Sequence, residues 1–285
     1  MWAAHTSNNQ LTRNSDLNLL DAIAVPNSSI EELMGSCDGA MNTKQDPKIY
    51  RCSVDRLTPL NHDTSRVWLT VESGGRLEFK AGQYLEIILP SGKHCPFSIA
   101  CAPANAEHLE LHIRPTPGSD DSSQIEDLIR KPGCFEINAP KGDCIIDHVP
   151  DQPLLLLAAS TGITQMKSLL EFLFDGEISK PISLYWGIVA PDDLYLHDLC
   201  VKWTSKFPLF SYTPVLSEPE ESPTWDGATG LLADAVVTEV SDLSNHLAYI
   251  SGGPAMVQAT AKVLLDNGLP IDNIRSDLLP YITLD

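Results

Sequence analysis

Hydrophobic and polar positions along the chain change their period near residue 150. Between Ile49 and about Asp147, short runs alternate apolar and polar residues: Tyr50–Leu57, Arg66–Glu72, Tyr84–Leu89, Phe97–Cys101, Leu109–Arg114 and Cys134–Asn138. A period of two puts successive side chains on opposite faces, so each run predicts a strand with one buried face. Turn residues separate the runs: Ser73-Gly74-Gly75, Pro90-Ser91-Gly92, Pro103 with Asn105, and Pro132-Gly133. Six short strands at this spacing predict a small antiparallel barrel or sandwich. A helical stretch, Ser123–Arg130, precedes the sixth strand, with Ser122 or Ser123 as its expected cap.

After Pro150, Leu154–Ala158 is apolar throughout, and Ile163–Phe174 follows at helical spacing. Strands Ile182–Ile188, Phe210–Leu216 and Leu247–Ile250 then alternate with helices Leu194–Lys206, Gly230–Val240 and Ala255–Asn267. Strands without a polar face, each followed by a helix, predict a parallel sheet covered on both sides. The expected organisation is an N-terminal extension over 1–46, a β-barrel over 47–150 and an α/β domain over 151–285. The extension is polar, with one short amphipathic stretch, Leu17–Ala24.

Composition agrees with two globular domains. At 285 residues, 43% hydrophobic and 20% charged, the chain excludes wholesale disorder and fibrous repeats. The 19 Lys and Arg against 38 Asp and Glu give a net charge of −19. A surface this acidic repels phosphate backbones and anionic lipid, so neither nucleic acid nor membrane is an expected partner. No apolar run reaches the roughly 18 residues of a membrane span, and the first residues form no secretory signal, so the expected location is cytoplasmic. Seven cysteines without a C-x-x-C pair exclude a disulfide framework and a zinc ribbon. His108 and His112 sit on one strand, where four residues span roughly 13 Å, so no metal site is expected.

Candidate chemistry collects where parallel strands end. Ala159-Ser160-Thr161-Gly162 lies between strand and helix, where Gly162 allows close backbone approach and the helix start offers N–H groups to a pyrophosphate. Gly187 to Asp193 follows the next strand; Asp192 and Asp193 suit a ribose hydroxyl or, equally, a helix cap. Ser251-Gly252-Gly253-Pro254 leaves room for a flat ligand. Three such turns at one sheet edge point to a dinucleotide site. In the barrel, Cys95-Pro96-Phe97-Ser98 opens a strand and offers an aromatic face and a hydroxyl, or simply a core aromatic at a strand start.

In this order, the segments resemble the ferredoxin–NAD(P)⁺ reductase superfamily, and in particular its NAD(P)H-dependent flavin reductase branch. The resemblance runs from about Lys48 to Ile282. Ala81-Gly82-Gln83-Tyr84 is similar to the family's entry to its third strand. Cys95-Pro96-Phe97-Ser98 is similar to its flavin motif Arg-x-(Tyr/Phe)-Ser, and Leu109–Arg114, with His112, Ile113 and Arg114, to the next flavin-flanking strand. Ser122 and Ser123 fall in the loop that follows. Thr161 and Gly162 match its nucleotide turn; Gly187 and Asp192 its second turn; Gly252, Gly253, Pro254 and Met256 the segment bordering the nicotinamide. The resemblance implies a six-stranded antiparallel flavin-binding barrel followed by a Rossmann-like NAD(P)-binding domain, with FAD or FMN and NADH or NADPH as cofactors. It implies that Phe97 and neighbouring backbone flank the flavin ring, that Tyr84 is among the cofactor-binding residues, and that Ser98, the catalytic candidate, hydrogen-bonds near flavin N5 where hydride arrives.

Departures from the family pattern shape the expectation. Cys95 replaces an arginine that in relatives pairs with a flavin phosphate, Asp120 and Asp121 occupy the phosphate-side loop, and Ala159 and Ser160 replace two glycines. A loosely held flavin follows. No basic cluster follows Trp186, which favours NADH over NADPH. The extension carries Cys37, with Cys52 nearby, whereas an iron–sulfur cluster needs four thiolates, so none is expected. The expected activity is hydride transfer from NAD(P)H to flavin, with free flavin or a protein as acceptor. Alternatives are the reductase component of an oxygenase or sugar-deoxygenation system, and a non-catalytic binding protein that retains the fold.

Overall fold

The computed structural model describes residues 46–72 and 76–284. The extension before Asp46, with Leu17–Ala24 and Cys37, and the turn Ser73-Gly74-Gly75 lie outside the described residues. The first sheet contains β1 (Lys48–Pro59), β2 (Ser65–Val71), β3 (Tyr84–Ile88), β4 (His94–Ser98), β5 (Leu109–Ile113) and β6 (Cys134–Lys141), in the order β4-β3-β6-β1-β2-β5. All its ladders are antiparallel. The period of two works as expected: Val67 and Leu69 of β2, Leu85 and Ile87 of β3, and Leu109, Leu111 and Ile113 of β5 meet in one buried core.

The fourth strand starts earlier than the expected Phe97–Cys101. A tight turn, closed by Leu89 N–H to Lys93 O and Gly92 N–H to Leu89 O, pairs His94 with Ile88 and Ser98 with Tyr84. Turn geometry therefore sets the register. Pro96 is tolerated because β4 has a ladder partner on one side alone. Helix α1 (Asp120–Arg130) starts three residues before the expected Ser123, because Ser119 rather than Ser122 or Ser123 is the cap: its Oγ accepts from Ser122 N–H. Asp120 and Asp121 then occupy the first turn, where the helix dipole favours carboxylates.

The second sheet is parallel, with β7 (Leu154–Ala159), β8 (Ile182–Ile188), β9 (Phe210–Leu216), β10 (Ala228–Thr229), β11 (Leu247–Ser251) and β12 (Ile274–Arg275) in the order β10-β9-β8-β7-β11-β12. The continuous apolar run in β7 has a simple cause. Leu154, Leu156 and Ala158 pack on α2 (Ile163–Phe174) and α3 (His197–Lys206), while Leu155 and Leu157 pack on α4 (Leu232–Glu239) and α5 (Pro254–Asp266). The expected helix Leu194–Lys206 begins at His197 because Pro191–Asp193 forms a 3-10 turn first. The helix expected over Gly230–Val240 is trimmed to Leu232–Glu239, with Gly230 in a positive-φ turn at +97°. β10 and β12, two residues each, are too short to leave a period in the sequence. From β7 the chain winds outward through β8 and β9, and from β11 the other way to β12. The strand order therefore reverses between β7 and β11, the switch point at which open α/β sheets form their ligand crevice.

Candidate functional site

The two ends of the barrel sheet, β4 and β5, lie side by side and share the backbone bond Ala100 N–H to Glu110 O at 2.7 Å. No ladder joins them among the described residues, so the barrel has an open seam there. The facing edges carry Cys95, Pro96, Phe97 and Ser98 on one side and His112, Ile113 and Arg114 on the other. Backbone groups on such edges are free to bond a ligand. The Ser98 hydroxyl is half-buried and has no hydrogen-bond partner among the described residues. Phe97 and Cys95 lean on the barrel core, and alternation puts Ser98 on the opposite face. Tyr84 pairs with Ser98 across the ladder; burial, with the Glu86 charge second, pushes its phenol well up.

Arg114 carries the seam across to the parallel sheet. Its guanidinium reaches Asp63 Oδ2 at 2.6 Å, Ser160 Oγ at 3.0 Å and Asp193 Oδ1 at 3.3 Å. One side chain thus ties the end of β5 to the β1–β2 loop and to the turns that follow β7 and β8. Ser160 sits at φ +51°, a conformation costly for a residue with a Cβ, and its carbonyl accepts from Trp186 Nε1 at 2.9 Å. Asp193 is buried and accepts from Ala190 N–H at 3.0 Å, closing the 3-10 turn. The alternatives for the two aspartates therefore separate: Asp193 is structural, and Asp192 keeps an exposed carboxylate at the sheet edge. Neither caps α3.

The glycines of the crevice answer to the protein's own packing. A Cβ on Gly162 would stand 2.2 Å from the Ser251 carbonyl oxygen, and one on Gly252 would stand 2.2 Å from Met256 Cε. The turns after β7 and β11 are thus in direct contact. A Cβ on Gly187 would press on Leu232 at 3.0 Å. Gly253 caps α5 and Pro254 is its first residue, while Met256 Sδ accepts from Thr260 Oγ1 at 3.3 Å. Thr161 is half-buried in the first turn. Ser122 Oγ accepts from Thr116 N–H at 2.9 Å and Ser123 N–H donates to Ser119 O at 3.1 Å, so both serve the start of α1. Gly82 needs its φ of +95° and its missing side chain because the Cys144 carbonyl lies against it.

Sequence reasoning missed the polar group between the two sheets. Lys167 on α2 reaches Glu110 Oε2 at 2.9 Å, Glu171 Oε1 at 2.6 Å and Ala100 O at 3.2 Å. Arg66 Nε and His112 Nε2 approach Glu110 Oε1 at 3.0 and 2.9 Å. Burial pushes the Glu110 carboxyl up, but the His112 hydrogen bond and the Lys167 charge overcome it and hold it at about 2. Burial dominates for His112 and lowers its pKa, against the raising effect of Glu110. The available signal was a Glu and a His inside the apolar run of β5, and a Lys on the apolar face of α2. A concavity of about 390 Å³ opens beside Arg66, Lys167 and Tyr195. A second, of about 620 Å³, lies on the barrel beside Leu69, Arg76, Asn105 and Leu109, at the connection between β4 and β5.

Comparison with known proteins fits this geometry. The family model of the oxidoreductase NAD-binding domain matches residues 156–262. The NAD(P)H-flavin reductase of Vibrio harveyi is 32% identical over 223 residues, 76% of this chain and 92% of the relative. The CDP-6-deoxy-L-threo-D-glycero-4-hexulose-3-dehydrase reductase of Yersinia pestis is 30% identical over 81% of this chain and 68% of its own length. Among solved structures, the Amycolatopsis cytochrome P450 reductase GcoB superposes with a TM-score of 0.74 at 26% identity, covering 81% of this chain and 69% of that one. The superposition spans both the antiparallel and the parallel sheet of this chain. The chain belongs to the ferredoxin–NAD(P)⁺ reductase superfamily, in its NAD(P)H-flavin reductase branch.

Proposed function

We propose that the seam between β4 and β5 receives the flavin ring and that the crevice between β7 and β11 receives the nicotinamide nucleotide. The observation that carries this is the Arg114–Ser160 bond, which brings the end of the seam within one side chain of the first nucleotide turn. On this reading residues 47–150 form the flavin-binding barrel and 151–285 the NAD(P)-binding domain. The residues present suit the ring: open backbone edges, an unpartnered Ser98 hydroxyl, and Tyr84 beside it. When bound, flavin supplies a two-electron acceptor for the nicotinamide hydride. Ser98 orients the ring by one hydrogen bond at the edge facing the crevice, and Met256 with Pro254 borders the nicotinamide. Thr161 and the first turn of α2 meet the pyrophosphate. Arg114 holds the turns after β7 and β8 against the end of β5, which would keep these turns in place to bind the nicotinamide nucleotide.

NADH is the favoured donor. Asp192 stands exposed past β8, and Glu218, Glu220 and Glu221 follow β9. Carboxylates at this edge disfavour a 2′-phosphate. Free flavin is the simplest acceptor. A protein acceptor is the second reading, favoured by the similarity to the Yersinia dehydrase reductase, and needs no iron–sulfur cluster in this chain. The test is NADH and NADPH oxidation with added riboflavin, FMN or FAD, comparing wild type with Ser98→Ala. A lost hydrogen bond of about 1.5–3 kcal/mol to a charge-bearing ring lowers kcat about 10- to 150-fold. An unchanged kcat for Ser98→Ala removes Ser98 from the site.

A further inference from the structure

We propose that a water molecule is built into the contact between β5, the head of α2 and the turn after β8, held by Tyr195 Oη, Thr164 Oγ1, His112 Nδ1 and Arg66 Nε, and that it positions the head of α2. The water site stands independently of the proposed activity; its effect on the nucleotide rests on the placement of that ligand in the crevice between β7 and β11.

Among the described residues, five buried side-chain atoms have no hydrogen-bond partner in the protein, and four of them cluster here. Arg66 and His112 face each other across the β2–β5 ladder. The His112 ring stands edge-on to Tyr195, with centroids 5.4 Å apart. The Tyr195 hydroxyl approaches Thr164 without a bond of good geometry, and the Arg66 charge acts on both Tyr195 and His112. Arg66 Nε is 3.0 Å from Glu110 Oε1, with its N–H out of line for a hydrogen bond. The fifth atom, His246 Nδ1, precedes β11 at the opposite end of the parallel sheet. Thr164 and His112 are 2% and 4% exposed, so bulk solvent does not satisfy them. Four unpaired polar atoms in one buried place call for a ligand that pairs them.

The polarity of the four atoms selects that ligand. The Glu110 carboxylate accepts from His112 Nε2, so this nitrogen carries the ring proton, and burial opposes a second one. Nδ1 therefore offers a lone pair. Arg66 Nε–H is a donor, and each hydroxyl gives one bond and accepts others. A single water donates to His112 Nδ1 and Thr164 Oγ1 while it accepts from Tyr195 Oη and Arg66 Nε, which fills its four bonding directions. Arg66 and Lys167 oppose a cation at this place, and Glu110 opposes an anion, so a neutral ligand is selected. The groove lined by Arg66 and Tyr195 admits it from solvent. Water held in this way joins three elements. Thr164 is the second residue of α2, next to the turn Ser160–Gly162, so the bridge fixes the helix end that receives a pyrophosphate.

A high-resolution crystal structure of the full-length protein should show one solvent peak within about 3.2 Å of at least three of the four atoms. The sign of a stability change gives a second test. Removing a buried hydroxyl that lacks any partner leaves stability unchanged or raises it, whereas removing one bound to water lowers it. Tyr195→Phe should therefore lower Tm by about 2–6 °C. Thr164→Val should act likewise, and the double variant should lose clearly less than the two losses together, because one water serves both side chains. Titration of the full-length protein with NADH should show binding about two- to threefold weaker in Tyr195→Phe, the effect of a loosened helix end. A dry contact with Tyr195 bonded directly to Thr164 overturns the water site, as does a Tyr195→Phe protein at least as stable as wild type. A bound water with NADH affinity unchanged in Tyr195→Phe overturns the positioning role. NADH binding to neither protein overturns instead the placement of the nucleotide in the crevice.

Discussion

Lys167→Met removes one ammonium from the buried group that joins β5 to α2. Glu110 is 3% and Lys167 4% exposed, so the loss is poorly compensated by water. A carboxyl whose pKa falls from 4.5 to about 2 on folding contributes about 3 kcal/mol to stability near neutral pH. Removing one partner of a buried pair costs about 3–5 kcal/mol; because Arg66 and His112 stay on Glu110, the low end applies. At about 2–4 °C per kcal/mol for a chain of this size, Tm should fall about 6–12 °C at pH 7. The sign of the pH dependence follows. The folded pKa of Glu110 lies below the unfolded one, so its contribution is complete above pH 4.5 and fades as pH falls toward 2. The gap between wild type and variant should therefore shrink across that window. Urea unfolding followed by tryptophan fluorescence, with Glu110→Gln and the double variant, measures the coupling. The double variant should lose clearly less than the two single losses together. A Lys167→Met protein within about 0.5 kcal/mol of wild type at pH 7 would refute the account of this group as a stabilising inter-sheet contact.

Gly162→Ala would drive a methyl into the Ser251 carbonyl, so a loss of about 2 kcal/mol or more is expected by thermal unfolding, and an unchanged Tm would show that the two turns do not touch. Arg114→Met should raise the KM for NADH several-fold with kcat little changed, because the turns after β7 and β8 lose their tether; steady-state kinetics showing the opposite split would give Arg114 a role on the ring instead. Native labelling with a thiol reagent, read by mass spectrometry, should modify the exposed Cys134 and the half-buried Cys95. The buried Cys52, Cys101, Cys144 and Cys200 should be spared until unfolding. For Cys52 and Cys200, burial pushes the thiol up to about 12, which adds chemical to steric protection.

Elements with a repeating pattern were legible in the sequence. β7 shows this most clearly: five apolar residues in a row require two covered faces, and the structure covers both. The motif segments fell where expected because glycine turns and strand ends are local features. Their side chains fared differently. His112 bonds Glu110, and Arg114 bonds the turns after β7 and β8. Ser122 and Ser123, expected at a flavin loop, sit in the first turn of α1 and bond Thr116 and Ser119. A motif specifies residue types and order, and it leaves open which of several polar neighbours each side chain meets.

The chain's own pattern determined two sheets of different kind and their strand count to within the shortest members. Periods of two and 3.6 are imposed by backbone geometry and need no distant partner. Only the tertiary structure decided that β4 and β5 part to leave a seam, that Arg114 spans 46 residues to Ser160 and 79 to Asp193, and that Lys93 is spent on Asp121. Those outcomes depend on Coulomb and hydrogen-bond energies that change steeply over a few ångströms, between groups that sequence separation does not rank.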